Sequence, residues 1–149
     1  MQFSHLHNHS QFSLLDGASK ISSMFKKAKE DNMPAVAITD HGNMFGVFQV
    51  VAEAGKHGVK PIVGCEFYLV TDRHKQVFTK ELKDKRYHQL FLAKNPEGYQ
   101  NLVKLCSLGF MEGMYSKYPR IDKELVLKYH KGLIATTCCL GASVPQAIL

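Results

Sequence analysis

The sequence lacks the features of a secreted, membrane-bound or disulfide-stabilised protein. Its longest apolar runs are far too short to cross a bilayer, and its polar, histidine-rich beginning does not resemble a signal peptide. No Cys-x-x-Cys pair occurs among its four cysteines, and the adjacent Cys138 and Cys139 are poorly placed to form a disulfide with each other. We therefore expect a cytoplasmic protein with no membrane partner, whose cysteines remain thiols.

Internal repeats, low-complexity segments and linkers are also absent, which indicates a single domain over residues 1–149. A hydrophobic content of 45% and a charged content of 21% are typical of a globular protein with a core. The net charge of +6 favours an anionic partner such as nucleic acid. Much of the positive excess lies in residues 73–86, where a solvated loop is the simpler interpretation.

The apolar pattern predicts strands and helices in alternation. Strands are expected at 2–7, 35–39, 60–70, 88–93 and 133–137, and helices at 20–31, 44–56, from 95 onward and at 122–130. Ser19 is the expected N-cap of the first helix. A charged loop takes 71–86, and 111–121 is expected to be irregular. This alternation predicts an α/β fold with a parallel sheet.

Three histidines near the start of the chain fall on alternate residues, at positions 5, 7 and 9. Side chains at i, i+2 and i+4 of an extended segment point to the same face. Imidazole nitrogens are common metal ligands, so His5, His7 and His9 together predict a metal site at the end of the first strand. The spacing alone does not distinguish among the three.

Further polar residues follow the other predicted strands. Asp40 and His41 end the second strand, Glu66 lies in the third, and Cys139 comes just after the last. In parallel α/β folds, ligands bind at the carboxyl ends of the strands. Glu66 is the most informative of these residues, because burying a carboxylate in an apolar strand is costly unless it is paired or bound to metal.

Other polar residues fit this pattern less well. Asp40 and His41 fit an ordinary turn equally well, and Asp16 also fits a turn. His88 begins its predicted strand, which is the wrong end for a site at the carboxyl ends of parallel strands.

In order along the chain, five segments resemble the motifs of the PHP (polymerase and histidinol phosphatase) family. They are residues 5–17, 37–46, 64–68, 88–102 and 132–141. More narrowly, they are similar to the amino-terminal domain of bacterial replicative DNA polymerases. The resemblance covers nearly the whole chain and implies a distorted (β/α)7 TIM-like barrel.

The resemblance also implies a rim that holds up to three divalent metal ions. Mixed imidazole, carboxylate and thiolate donors favour zinc, and manganese or iron are compatible. Catalytic roles are implied for Asp40, His41 and Glu66, with Asp40 orienting a ligand histidine. Cys138 remains an alternative to Cys139. The ligands implied are His7, His9, Asp16, His41, Glu66, His88 and Cys139.

The last motif of the family, an Asp-x-His, has no counterpart in this sequence. We therefore expect a barrel truncated at its carboxyl-terminal end, cut from a longer polymerase. The expected partners are DNA, the remainder of the polymerase chain and other subunits of the replicative holoenzyme.

The resemblance leaves three functions open. The first is a 3′–5′ proofreading exonuclease within a DNA polymerase. The second is a non-catalytic domain that stabilises the polymerase or docks a proofreading subunit. The third is a free-standing phosphoesterase such as a histidinol phosphatase, against which residues 13–17 and 94–102 resemble the polymerase branch.

Overall fold

A computed structural model describes residues 3–149, which form five helices and six strands. In chain order these are α1 (Ile21–Glu30), β1 (Ala35–Ile38), α2 (Val47–His57), β2 (Lys60–Val70), β3 (Tyr87–Ala93), α3 (Pro96–Glu112), β4 (Met114–Tyr115), β5 (Tyr118–Asp122), α4 (Lys123–Tyr129), β6 (Leu133–Ala135) and α5 (Ser143–Ile148). None of these helices combines the length and apolar character that a bilayer crossing requires.

The long strand β2 organises the sheet. Its first half pairs in parallel with β1, its second half pairs antiparallel with β3, and its last residues pair in parallel with β5. The sheet is open and runs β4-β5-β2-β3-β6, with β1 beside β2. The predicted α/β class is confirmed, but the wholly parallel sheet is wrong. Residues 71–86 contain no helix to cross the sheet, so β3 returns antiparallel to β2.

The predicted first strand is also wrong. Its first residue, Gln2, lies outside the described residues, and residues 3–10 form no strand. They nevertheless run beside β1, where the carbonyl of His5 accepts from the Ala37 N–H and that of Asn8 from the Thr39 N–H. The Asn8 side chain donates to the His5 and Ala37 carbonyls. The Asn8 side chain thus donates to carbonyls that backbone N–H groups would reach in a regular pair of strands.

The other boundaries agree with the predictions to within a few residues. Two further predictions, for residues 111–121 and for the N-cap of the first helix, are wrong. Residues 111–121 hold the end of α3 and the short β4–β5 hairpin instead of an irregular stretch. Lys20 occupies the N-cap of α1 in place of Ser19 and makes no capping bond. By contrast, the side chains of Asn95 and Asp122 cap α3 and α4 by accepting backbone N–H bonds.

Two apolar clusters fix these elements. One lies between α1, β1 and α2 and includes Ile21, Phe25 and Val50, which are fully buried. The other packs α3 and α4 on the sheet and includes Phe67 and Leu105. Burial of these side chains holds β1 and β2 side by side, which sets the edge from which the polar residues project.

Candidate metal centre

Glu66 lies in the middle of β2, and only 1% of it is exposed. One carboxylate oxygen, Oε2, contacts Nε2 of His7 and lies 2.6 Å from Nε2 of His9. The other oxygen, Oε1, lies 2.6 Å from Nδ1 of His88. A buried carboxylate therefore contacts three imidazoles.

A second acidic residue extends this cluster toward solvent. Oδ2 of Asp16 contacts Nδ1 of His9 and lies 3.4 Å from Nε2 of His41. Nδ1 of His41 lies 3.9 Å from Oε2 of Glu66. His9 and His41 therefore each lie between two carboxylates.

Cys139 completes the cluster from the loop after β6. Its Sγ lies 3.6 Å from Oε1 of Glu66 and 3.4 Å from Nδ1 of His88. Cys138 adopts a positive φ of 58° and packs against the small apolar cluster that contains Ala37. Burial raises the pKa of the Cys138 thiol to about 12. Of the two alternatives, Cys139 is the one within hydrogen-bond distance of predicted ligands.

The structure thus brings all seven predicted ligands together. Together with Cys138, they fall into four overlapping groups of three residues whose ligand atoms lie within 4.8 Å of one another, and Glu66 belongs to three of these groups. The buried Nδ1 of His41 has no hydrogen-bond partner in residues 3–149. An unpartnered buried nitrogen among carboxylate and thiol donors fits a divalent transition metal, and the overlap of the groups fits more than one ion.

Electrostatics favour the metal-binding forms of Glu66 and His41, and act in the opposite direction on His9. Burial opposes ionisation of Glu66, but its hydrogen bonds with His7, His88 and His9 outweigh burial and hold the pKa of this carboxyl well below its ordinary range. Burial lowers the pKa of His41, which favours the neutral imidazole. Burial would do the same to His9, but its bonds to Glu66 and Asp16 raise its pKa.

The antiparallel course of β3 explains how His88 reaches the site. In the register of β2 and β3, His88 lies opposite Tyr68, and Leu90 lies opposite Glu66. The amino end of an antiparallel strand lies at the same edge as the carboxyl ends of its parallel neighbours. His88 therefore belongs to the site although it begins its strand.

Asp40 is placed differently from the role implied for it. Its buried carboxylate accepts hydrogen bonds from the Ser10 N–H at 2.6 Å, the Ser10 hydroxyl at 2.7 Å and the Ser13 hydroxyl at 2.6 Å. In residues 3–149 it bonds to no histidine ring. Asp40 thus fixes the turn that joins His9 to Asp16, instead of orienting an imidazole directly.

His5 is separated from the other two histidines of its motif. It is exposed, and its ring packs edge-on against Phe3 with centroids 4.8 Å apart. It belongs to none of the ligand groups and lines a different cavity, together with Met24 and Val36. His7 and His9 face each other, with their Nε2 atoms 3.3 Å apart.

A cavity of about 840 Å³ opens beside the cluster, and Asp16, His41 and His88 line one end of it. Its other wall is aromatic and basic, and includes Tyr68, Arg86, Lys117 and Tyr118. The Tyr68 ring stacks on His41 with centroids 5.8 Å apart. Sequence reasoning missed this wall, although Tyr68 follows Glu66 by two residues and so shares its face of β2.

A family model and several known proteins match this chain. The family model described as PHP domain matches residues 5–149. The chain is 48% identical over 148 residues to the DNA polymerase III subunit alpha of Borreliella burgdorferi, covering 99% of this chain and 13% of that one. It is 47% identical to the same subunit of Thermus aquaticus, covering 100% of this chain and 12% of that one. The chain thus spans about an eighth of the length of these relatives.

Two solved structures resemble the fold, each with a TM-score of 0.51. One, from Bifidobacterium adolescentis, is described as a metal-dependent phosphoesterase; it is 21% identical, and the match covers 71% of this chain and 32% of that one. The other, an amidohydrolase from Chromobacterium violaceum, is 24% identical over 70% of this chain and 32% of that one. At these identities the likeness concerns the fold alone. From the family match over residues 5–149, the chain belongs to the PHP domain family.

Proposed function

We propose that this domain binds divalent metal ions around Glu66 and hydrolyses phosphodiester bonds as a 3′–5′ exonuclease. We place it in a DNA polymerase III alpha subunit whose remaining chain synthesises DNA. The hydrolytic proposal rests on one observation. Glu66 and the six other candidate ligand side chains cluster beside an open cavity. The name of the relatives supports the polymerase assignment.

Up to three ions, zinc by preference, are proposed for the overlapping groups of ligands. His7, His9 and Glu66 would hold one of them. Asp16 and His41 would hold a second. Glu66 and His88, with Cys139 beside them, would hold a third. Bound ions of this kind polarise a phosphoryl oxygen and lower the pKa of a bound water.

The residues of the chain hold this arrangement in place. Glu66 remains ionised and nearly inaccessible to bulk water, so its two oxygens stay available to different ions. Tyr68 packs on His41 and against His88, and this contact restricts the orientation of both imidazoles. Asp40 fixes the turn that carries Asp16, although it touches no proposed ligand side chain.

Four finer assignments belong to the same proposal. The open sheet would be part of the distorted (β/α)7 barrel of the family, and residues 1–149 would be one piece of a longer chain. DNA and other subunits of the replicative holoenzyme would be its partners. A polymerase that copies the bacterial chromosome would work in the cytoplasm.

The test is metal-dependent removal of a mismatched 3′ nucleotide by the full-length polymerase. We expect Glu66→Gln to abolish it, because the change removes the shared ligand. Glu53→Gln is the matched control: Glu53 is also buried, but its partners are Lys56 and His57 on α2. Equal rates for Glu66→Gln and the unchanged protein would contradict the catalytic role. If Glu66→Gln then lowered only the melting temperature, the domain would be structural.

A further inference from the structure

Arg86 lies on the wall of the cavity beside the proposed metal centre and is partly exposed. Its guanidinium lies over the Tyr118 ring, 3.8 Å from the ring centroid. Its Nη1 donates to Asp84, and the side chain makes no other hydrogen bond to residues 3–149. One face of the guanidinium is therefore covered, and donors along its edge remain available in the cavity.

A second arginine, Arg120, is buried and fixes the position of Asp84. Arg120 is fully buried, and its Nη1 donates to the other oxygen of Asp84 at 3.1 Å. The remaining bonds of that guanidinium go to the backbone carbonyls of Gly113, Arg73 and Lys75. Asp84 is thus shared by two arginines, and the three side chains carry a net positive charge. Arg86 is the member of the three that reaches the cavity.

The two ends of the cavity differ in charge. Asp16 lies at the end formed by the proposed ligands, next to the ionised Glu66, and would repel a phosphate in the absence of metal ions. Arg86 and Lys117 also line the cavity and attract anions directly. A fork of guanidinium donors also matches the geometry of phosphate oxygens.

A chain of ring contacts sets the spacing between these two ends. The Tyr68 ring packs against His88 with centroids 5.7 Å apart, and against Tyr118 with centroids 5.0 Å apart. Arg86 covers the next face, on Tyr118. Along this chain of contacts, the rings of Tyr68 and Tyr118 lie between the ligand His88 and Arg86.

We propose that Arg86, positioned by Asp84 and the buried Arg120, binds a phosphate of the DNA strand other than the one that is cleaved. This inference rests on the proposed function and deepens it by making a strand with at least two phosphates the preferred substrate. Arg86 acts in substrate binding and has no part in holding the metal ions.

The activity test compares two substrates of the full-length polymerase. One is a single-stranded oligonucleotide, and the other is thymidine 5′-monophosphate p-nitrophenyl ester, which carries one phosphate. We expect Arg86→Gln to raise KM for the oligonucleotide by about ten-fold or more, with kcat retained, because a charged hydrogen bond is lost. The ester should be cleaved as by the unchanged protein. Arg86→Lys, which retains the charge, should recover part of the loss.

Lys83→Gln is the matched control, since Lys83 is exposed in the same loop and does not line the cavity. It should leave both substrates unaffected although it removes the same charge. An unchanged KM in Arg86→Gln, or an equal loss on both substrates, would overturn the inference. Failure of the unchanged protein to cleave either substrate would instead overturn the proposed function.

A binding measurement decides the inference without turnover. An oligonucleotide with a diazirine on its 3′-terminal base and a phosphorothioate last linkage is crosslinked to the full-length chain, and the attached peptides are identified by mass spectrometry. We expect attachment to the cavity wall around residues 117–119, reduced in Arg86→Gln and retained in Lys83→Gln. No attachment to this domain, or equal attachment in Arg86→Gln, would contradict the inference.

Discussion

Two clusters of buried charged residues lie in this domain, and they are built in opposite ways. In the arginine cluster, Arg73 bonds to Glu112 at 2.8 Å and to Asp122 at 2.9 Å, and Arg120 bonds to Asp84. Every buried charge there has a partner of opposite sign within the chain. Around Glu66, by contrast, imidazole, carboxylate and thiol groups crowd together, and the buried Nδ1 of His41 has no partner in residues 3–149.

This difference separates a structural cluster from a site that needs an ion. A buried ion pair whose hydrogen bonds are satisfied holds segments together and gains nothing from a ligand. A cluster of ligand atoms is complete only when a cation is added, because its donors are otherwise left to contact one another. The two clusters should therefore respond to different perturbations.

The largest effect is expected in the arginine cluster. Asp122→Ala leaves Arg73 short of a buried partner and removes the cap of α4, so we expect a local loss of about 3–5 kcal/mol in stability. Amide hydrogen exchange of residues 118–129 in the full-length chain measures it. Metal content should stay unchanged, and a loss of metal equal to that of Glu66→Gln would show that the clusters are not independent.

Chelation should have the converse effect. Residues 3–16 and 136–142 carry four of the proposed ligands and contain neither helix nor strand, so bound ions would hold them in place. Ions present at a hundred times their Kd stabilise a fold by about 2.7 kcal/mol, which chelation removes. We expect faster amide exchange in these two segments and no change in residues 118–124. Faster exchange in 118–124 alone would contradict the comparison.

Acid should disrupt the two clusters at different pH values. Protons compete with metal for imidazole nitrogens. Ions should therefore be released as the pH falls through the ordinary pKa of histidine, about 6.5. Burial opposes ionisation of Asp122, but bonds from the Leu125 N–H and Arg73 outweigh it and lower its pKa.

The contribution of Asp122 to stability is therefore full above its unfolded pKa of about 3.9 and is lost only as the pH falls through its lower folded value. Metal content and amide exchange of residues 118–129, measured between about pH 2 and 7, should separate the two transitions. A single shared transition would contradict this account.

The smallest effect is expected at the first histidine of the motif. His5→Ala should leave metal content unchanged, because the His5 side chain is exposed and lies away from the cluster. His7→Ala, two residues away, should lower metal content, because it removes a contact with Glu66. Metal analysis of both variants of the full-length chain checks this, and equal losses would show that the two histidines are equivalent.

Part of this site could be predicted from local sequence. The alternate spacing of His7 and His9 requires only that the segment be extended, and Glu66 stands out because a carboxylate in an apolar strand needs a partner. The choice of His7 and His9 over His5 required the family resemblance. In the structure, the Asn8 side chain bonds to the carbonyls of His5 and Ala37, and residues 3–10 do not form the regular strand that the spacing assumes.

Other parts depend on strand direction and on distant contacts. His88 fits only once β3 is known to be antiparallel, and nothing local to residues 71–86 fixes that direction. The bonds of Asp40 reach Ser10 and Ser13, some thirty positions earlier. Arg86 gains its place from Tyr118 and from the buried Arg120, both far along the chain. Contacts between distant residues of this kind leave no periodic pattern in the sequence.

The most direct test of the central claim is anomalous diffraction from crystals of the full-length polymerase grown with zinc or manganese. We predict anomalous peaks within coordination distance of both carboxylate oxygens of Glu66, flanked by His7, His9 and His88. Glu66→Gln crystals should lose the peaks that these groups share. The absence of any peak at Glu66 in the unchanged protein, with the histidines still hydrogen-bonded to its carboxylate, would contradict the account.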